Sequence, residues 1–473
     1  MRSKKIVASV STVLILVLVS SALTAAQGFG VVWNSSLQVL NLEAENAQIS
    51  MTYYNPDGSL ATMATGYSNP DPDTVAAGAS NTYYPVHAAD GFSGSVVVSS
   101  DKRVAVISNI VANTPASGLG SYVGFPGGAG TIYFPLVMHA NGPNDTTFNV
   151  QNTSGYSVDI SIHFEPEVGK GYAAISDISD SIASGAAHTY DVTQLSAFDG
   201  VGKWVGSATV EVTSPAEGTV AGVATTVNTS SADAYTLYTY NAFVGGSTTV
   251  VAPLIQENNS GNRTSINCQN IDPSTTADIS VAYVPEPGSA AKASQTKQNI
   301  GPNGVAVFLQ DYEGSVKFVG SAEITSDPAV PLVCVINQQK PSQGKGSAYE
   351  GFDPNSATDE VVLPLVQSRN GNLSKGYVWA SINIASADGS DVDVTCEYRP
   401  EPGISTPPNS VGDGPVVVFL LNDIFGDGSK FVGGAVCTAA DNKQIFAIVN
   451  QTRSGGPYSY RDVLSSYNGF NTE

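Results

Sequence analysis

Lys317-Phe318-Val319-Gly320-Ser321-Ala322 recurs as Lys203-Trp204-Val205-Gly206-Ser207-Ala208 and as Lys430-Phe431-Val432-Gly433-Gly434-Ala435. A weaker copy, Phe92-Ser93-Gly94-Ser95-Val96, stands one period earlier. The glycines at 94, 206, 320 and 433 lie 112, 114 and 113 residues apart. A fixed period means a tandem array of one supersecondary unit. Three other phrases keep the period. A proline-leucine step opens three copies: Pro135-Leu136, Pro253-Leu254 and Pro364-Leu365. A proline-glutamate turn follows a strand in Pro166-Glu167, Pro285-Glu286-Pro287-Gly288 and Pro400-Glu401-Pro402-Gly403. An aromatic phrase closes all four copies: Tyr122-Val123-Gly124-Phe125, Tyr240-Asn241-Ala242-Phe243, Tyr349-Glu350-Gly351-Phe352 and Tyr467-Asn468-Gly469-Phe470. The expected division is a signal peptide over 1–26 and repeats over 27–127, 128–245, 246–353 and 354–473.

The third repeat shows the local pattern best. Apolar-rich stretches cover 249–255, 265–269, 278–284, 305–311, 320–326, 330–338 and the neighbourhood of Ala348, with Gly/Asn/Pro turn clusters between them. Ile279, Val281 and Tyr283 alternate with Asp278, Ser280 and Ala282. One-sided alternation predicts antiparallel sheet with one buried face. Seven short strands in about 110 residues fit a sandwich. The expected fold class is therefore all-β: four tandem immunoglobulin-like β-sandwich repeats after a signal peptide. A jelly roll per repeat is the alternative, and a propeller blade of 40–50 residues does not match the period.

Arg2, Lys4 and Lys5 precede an apolar run from Ile6 to Ala26 that ends in small residues, the form of a secretory leader. An uncleaved anchor is the competing reading, since the run is long enough to span a bilayer. Loss of the three basic residues leaves 17 basic against 41 acidic residues, a net charge of −24. That acidity disfavours nucleic acid and anionic membranes as partners. No second long apolar run follows, so no membrane span is expected in the mature chain.

Cys268 and Cys334 fall in repeat three, Cys396 and Cys437 in repeat four. Pairs confined to one repeat of an exported chain read as intradomain disulfides, Cys268 with Cys334 and Cys396 with Cys437. No CxxC spacing occurs and no histidine falls in those repeats, so no metal centre is expected there. His87, His139, His163 and His188 occupy unshared positions and read as surface residues. No nucleophile elbow, HExxH or phosphate-cradling loop is present. Acid pairs at Asp71-Pro72-Asp73, Asp388 to Asp393 and Asp423 to Asp427 resemble oxygen-rich loops, which makes Ca2+ the one cation to consider. Glu165, Glu286 and Glu401 sit beside prolines in turns and face no evident cleft. The recurring aromatics Trp204, Phe318 and Phe431 are the candidate ligand-facing residues, as platforms for a sugar ring. Packing inside the fold is the competing expectation for them. Eight Asn-x-Ser/Thr sequons occur, Asn152 and Asn262 among them.

The phrases Pro253-Leu254-Ile255, Gln269-Asn270, Pro285-Glu286-Pro287-Gly288, Phe318-Val319-Gly320-Ser321-Ala322, Val449-Asn450-Gln451 and Tyr467-Asn468-Gly469-Phe470 resemble tandem β-sandwich repeats of secreted and cell-surface proteins of environmental bacteria. The resemblance implies an extracellular array and brings no catalytic residues. Repeat one departs from it, with Val31-Val32-Trp33-Asn34 where a Pro-Leu step is expected.

The expected function is a non-catalytic structural or adhesive role at the cell surface or in the matrix. The alternative is a multivalent carbohydrate-binding array. Partners are then extracellular glycans or further copies of the chain. Four domains on short linkers predict an extended rod. If the Pro-Leu strand completes the preceding domain, repeat four ends one strand short and invites a strand from another molecule. If it belongs to the following domain, both ends are complete.

Overall fold

In units 2–4 the Pro-Leu strand hydrogen-bonds within its own repeat, and this sets the boundaries of every unit. The structure, a computed structural model, describes residues 13–19, 32–114, 118–230, 235–286, 288–310, 316–372, 376–426, 429–454 and 464–472. Residues 1–12 and 20–26 of the expected leader, Pro287, and Asp427 of the third acid pair lie outside these.

Unit 1 holds β1 (Val13–Val19), β2 (Val32–Asn41), β3 (Ala47–Tyr54), β4 (Asp71–Val75), β5 (Ser80–Tyr83), β6 (Gly94–Ser100), β7 (Val104–Thr114) and β8 (Gly118–Val123). Unit 2 holds β9 (Thr131–His139), β10 (Asn144–Asn152), β11 (Val158–Pro166), β12 (Ile178–Ile182), β13 (Ala187–Asp191), β14 (Trp204–Ser214), β15 (Val220–Asn228) and β16 (Thr236–Asn241). Unit 3 holds β17 (Thr249–Glu257), β18 (Arg263–Asn270), β19 (Ala277–Pro285), β20 (Gln295–Ile300), β21 (Val305–Leu309), β22 (Phe318–Asp327), β23 (Leu332–Lys340) and β24 (Lys345–Glu350). Unit 4 holds β25 (Glu360–Ser368), β26 (Asn370–Asn372), β27 (Gly376–Ser386), β28 (Val392–Pro400), β29 (Ser410–Gly414), β30 (Val416–Leu420), β31 (Phe431–Ala439), β32 (Ile445–Ser454), β33 (Leu464–Asn468) and β34 (Phe470–Asn471).

The eight sheets fall into four pairs with one strand order. In unit 3 the pair is β20-β19-β22-β17 and β21-β18-β23-β24, and units 1 and 2 repeat that order. Unit 4 adds β34 outside β25 and β26 beside β27. All pairings between these strands are antiparallel among the described residues, and each pair of sheets encloses its own apolar cluster. The sandwich architecture is as read from the sequence. The strand order is not that of an immunoglobulin domain, whose sheets run ABED and CFG. The additional strand, β20, escaped the sequence reading because Gln295-Thr296-Lys297-Gln298-Asn299 is a polar edge with little burial.

The recurring phrases mark intra-unit constraints. A Cβ on Gly94, Gly206, Gly320 or Gly433 would lie 2.0–2.2 Å from the carbonyl oxygen of Tyr54, Glu165, Val284 or Arg399 on the neighbouring strand. Only glycine fits there. The Pro-Leu step is a bulge in the first strand: Phe134 to Val137 spans four residues opposite the three of Gly206 to Ala208. Proline has no N–H to strand. The leucine's N–H and C=O turn inward onto the hydroxyl of the closing tyrosine. Tyr240 Oη accepts from Leu136 N at 3.3 Å and donates to Leu136 O at 2.7 Å. Tyr349 does the same for Leu254 at 3.2 and 2.7 Å, and Tyr467 for Leu365.

Disulfides join Cys268 to Cys334 and Cys396 to Cys437. Each pair is directly cross-strand within one sheet, β18 to β23 and β28 to β31, rather than between sheets.

The units do not form a rod. Their last strands, β8, β16, β24 and β33, meet in cyclic order, so unit 4 returns to unit 1. Next to this axis, the residue after each closing tyrosine reaches a neighbour. Asn241 Nδ2 donates to Val123 O at 2.9 Å, Glu350 accepts from Asn241 N, and Asn468 Oδ1 accepts from Glu350 N at 3.1 Å. The ring closes through Ser121 Oγ on Ser465 Oγ at 2.9 Å and an apolar patch of Leu40, Ala105 and Val362. An extended rod is therefore the wrong picture: the first sheet of each unit lies on the second sheet of the next. Repeat four is complete, since β25 pairs with β31 of its own unit, which removes the proposed open C-terminal edge.

Unit 1 corrects one further expectation. Val32 to Asn34 begins β2, the second strand, so it does not replace the Pro-Leu strand. The first-strand position beside β6 is held by Val13–Val19, inside the segment read as leader.

Candidate ligand clefts at the unit junctions

The aromatic platforms proposed from sequence are core residues. Trp204 is 0% exposed, and Phe318 and Phe431 are each 2% exposed. Trp204 Nε1 donates to Ala173 O at 3.0 Å, and its ring meets Phe164 and Phe198 edge-on. Their recurrence reflects packing over the recurring glycine. They cannot stack on a ligand.

Two of the three acid pairs are occupied by protein partners. Asp71 meets His87 Nδ1 at 2.6 Å, and Asp73 accepts from Tyr83 Oη at 2.7 Å. Asp388 accepts from Ser386 Oγ and Ser390 N, and those hydrogen bonds hold its carboxyl down at about 2. Lys443 Nζ donates to Asp391 O at 2.6 Å and to Ser390 Oγ at 3.0 Å, so a cationic side chain already caps this loop. His163 lies 2.8 Å from Asp177 and His188 2.8 Å from Asp180, while His139 faces Val201 O at 3.2 Å. Asn152 is fully buried with its amide on Tyr156 O and Ile182 O, so that sequon is not a surface acceptor.

Three related clefts open where consecutive units meet. Units 2 and 3 enclose about 590 Å3, units 3 and 4 about 500 Å3, and units 4 and 1 about 300 Å3. Their walls come from equivalent positions. The preceding unit contributes the end of its first strand, the following hairpin, and the valine before the recurring glycine: Val205, Val319 or Val432. The following unit contributes one cross-strand serine–asparagine pair: Ser265 with Asn337, Ser381 with Asn450, or Ser36 with Asn109. At this position unit 2 has Thr147 with Thr225.

Side-chain amides dominate these walls. Asn259 Nδ2 donates to Gln256 Oε1 at 2.7 Å, and Gln338 Nε2 donates to Asn450 Oδ1 at 3.0 Å across the junction. Asn370 Nδ2 donates to Gln367 Oε1 at 2.6 Å, and Gln367 continues to Gln451. Among the described residues, two buried amide atoms on these walls have no protein partner, Asn337 Oδ1 between units 2 and 3 and Gln451 Nε2 between units 4 and 1. Buried polar groups normally find a partner.

Of Glu165, Glu286 and Glu401, read from the sequence as facing no cleft, Glu286 does line one. The equivalent positions are Glu167, Glu286 and Glu401, whose backbone N–H groups bond Val205 O, Val319 O and Val432 O. Glu167 and Glu286 line their clefts, and Glu401 accepts from Thr82 on unit 1. Burial pushes the Glu167 carboxyl up, opposed by Lys170, Lys297 and Lys203. Lys203, the recurring lysine, thus belongs to a cleft although its aromatic neighbour does not.

The clefts were missed because each is made by two units, and no single repeat contains one. The signal was present in Ile336-Asn337-Gln338 and Val449-Asn450-Gln451. In a strand, neighbouring side chains diverge. Asn337 and Asn450 face the cleft before their unit, and Gln338 and Gln451 the cleft after it.

No family model and no curated protein matches the sequence. Among solved structures, the chain of "Crystal Structure of Thermotoga maritima 1070" is similar at 18% identity and a TM-score of 0.20. It covers 24% of this chain and 94% of that one.

Proposed function

We propose that the protein is a secreted, non-catalytic adhesive component of the cell surface or extracellular matrix, and that its ring binds polyhydroxylated polymers, extracellular glycans, at the unit junctions. The observation that carries this reading is the recurrence of one amide-lined cleft at three junctions, two of them holding a buried amide atom without a protein partner. Asparagine and glutamine side chains donate and accept at once, as sugar hydroxyls do. Val205, Val319 and Val432 supply an apolar strip beside the amides. The cleft volumes suit one or two pyranose rings, within the range of small-molecule sites. Several weak sites on one rigid body engage a polymer with avidity. A chain rich in Ser, Thr, Asn and Gly, with two disulfides, suits an extracellular setting.

Binding of the full chain to a glycan array, repeated with Asn337→Ala, Glu286→Ala and Gln451→Ala together, tests this. The triple variant is expected to lose at least tenfold in apparent affinity while keeping its melting temperature within a few degrees. Absence of glycan binding by the wild-type ring at micromolar concentration would sink the reading.

A further inference from the structure

The first-strand position of unit 1 differs from its three counterparts in a way that points to an occupant from outside the chain. In units 2, 3 and 4 this strand bulges, placing Phe134 to Val137, Ala252 to Ile255 and Leu363 to Val366 opposite three residues of the sixth strand. In unit 1, Val17-Leu18-Val19 runs straight along Val96-Ser95-Gly94, one residue short. The consequence appears across the core. Tyr122 is the counterpart of Tyr240, Tyr349 and Tyr467 and is only 1% exposed. Among the described residues its hydroxyl has no backbone partner and only Ser108 on the adjacent strand beside it, short of a well-formed hydrogen bond, whereas the other three hydroxyls each bond a leucine N–H and C=O in the bulge. A buried hydroxyl left unpaired is costly, and three units show what it is built to hold.

We propose that the edge of β6 is an acceptor slot for an extended strand of a separate polypeptide. That strand carries an apolar-Pro-apolar step, and residues 13–19 hold the slot only until the leader is removed. The proposal rests on the export reading above. Cleavage near residue 26 removes β1 and leaves only a few residues before β2, too few to return along the whole of β6. An unpaired edge takes an added antiparallel strand, with backbone hydrogen bonds giving affinity and side-chain pockets giving specificity. The specificity element here is Tyr122. It accepts the N–H and donates to the C=O of the residue after the proline, and the proline itself brings no N–H that the bulge would leave unpaired. The counterparts of the slot, β9, β17 and β25, also touch the second sheet of the next unit. The incoming strand therefore also lies against Thr147 and Thr225 of unit 2 and completes the fourth junction.

The test uses protein secreted by an expression host, its N-terminus sequenced, and a fluorescent peptide with the sequence of Thr131–His139 as probe. The expected result is saturable one-to-one binding by the processed protein and none by the chain that keeps residues 1–26. A peptide lacking Leu136, and so unable to bulge, should bind roughly tenfold more weakly. Tyr122→Phe should abolish that preference, a change of about five- to tenfold. If the processed chain folds poorly alone, the probe sequence fused ahead of Gln27 through a flexible linker should restore hydrogen-exchange protection to β6, while a scrambled fusion should not. A secreted protein that retains residues 13–19, a processed protein that ignores the probe, or one that blocks the slot by dimerising with itself overturns the proposal.

Discussion

Replacing each closing tyrosine by phenylalanine separates the units in a way no overall measure of repeat similarity would suggest. In Tyr240→Phe, Tyr349→Phe and Tyr467→Phe the ring remains, but the N–H and C=O of Leu136, Leu254 or Leu365 lose their partner. All three tyrosines are at most 1% exposed, so water cannot substitute. Each unpaired buried group costs about 1–3 kcal/mol, and two together give about 2–5 kcal/mol of local destabilisation. In Tyr122→Phe the lost hydroxyl held no backbone group among the described residues, so the expected change in the unprocessed chain is within about 0.5 kcal/mol. A four-unit chain is not expected to unfold in two states, so the readout should be local. Hydrogen exchange of peptides spanning β9, β17 and β25 reports each unit separately. A loss of about 2 kcal/mol accelerates exchange roughly thirtyfold where it proceeds by opening of that unit. The reasoning fails if Tyr122→Phe loosens unit 1 as much as Tyr349→Phe loosens unit 3, or if exchange in β9, β17 and β25 is unchanged.

Three further outcomes are expected. Cys396→Ala with Cys437→Ala opens a disulfide of sequence separation 41 and should cost unit 4 about 4 kcal/mol in the chain-entropy picture, leaving exchange in unit 2 unaltered. Glu350 lies half-buried near the axis, where burial pushes its carboxyl up to about 7. Because the folded state holds this proton more tightly than the unfolded chain, stability should fall as pH rises from about 4.5 to about 7, by up to roughly 3 kcal/mol. Glu350→Gln, whose amide oxygen can still accept from Asn241 N, should flatten that dependence in melting curves at pH 5 and pH 8. Leu40→Asp puts a carboxylate into the apolar contact that closes the ring, and solution scattering should show an enlarged radius of gyration with the four sandwiches still folded. An unchanged radius would mean the closing junction does not depend on that contact.

What the sequence made legible is what lies inside one unit. Gly206, Gly320 and Gly433 recur because a backbone oxygen stands where a Cβ would go, and Leu136, Leu254 and Leu365 recur because a tyrosine 95–104 residues later holds them. Such constraints are repeated, so periodicity finds them. The alternating strands and the two cysteine pairs followed from the same local chemistry. The edge strand Gln295–Ile300 did not, because a solvated edge has no apolar face to alternate. The aromatics at 204, 318 and 431 misled for a related reason: recurrence was a mark of packing, and binding residues need not recur. The ring was invisible because the contacts that close it join residues more than 300 apart, as Ser121 with Ser465, and no local pattern encodes a partner at that distance.

The positions where the repeats disagree carry the closure. A head-to-tail interface yields a ring only if its rotation closes, and four tethered units must each find the right neighbour. Gln269 precedes the buried Asn270 of unit 3 and donates to Thr209 of unit 2 at 3.0 Å. The corresponding residue of unit 1 is Leu40, which precedes Asn41 and lies against Gly434 and Val362 of unit 4. Exchanging the two neighbours would bury a glutamine amide against an apolar surface without a partner and set a leucine against the Thr209 hydroxyl. The same asymmetry holds at the axis. Asn468 grips both Glu350 N and Glu350 O, at 3.1 and 2.8 Å, while the equivalent residue of unit 1 is Val123, whose apolar side chain packs against the core of unit 4. Divergence of this kind is not decay of a repeat. It gives each junction a chemistry that the other three do not satisfy, so the order of units around the ring is specified by mismatch as much as by fit.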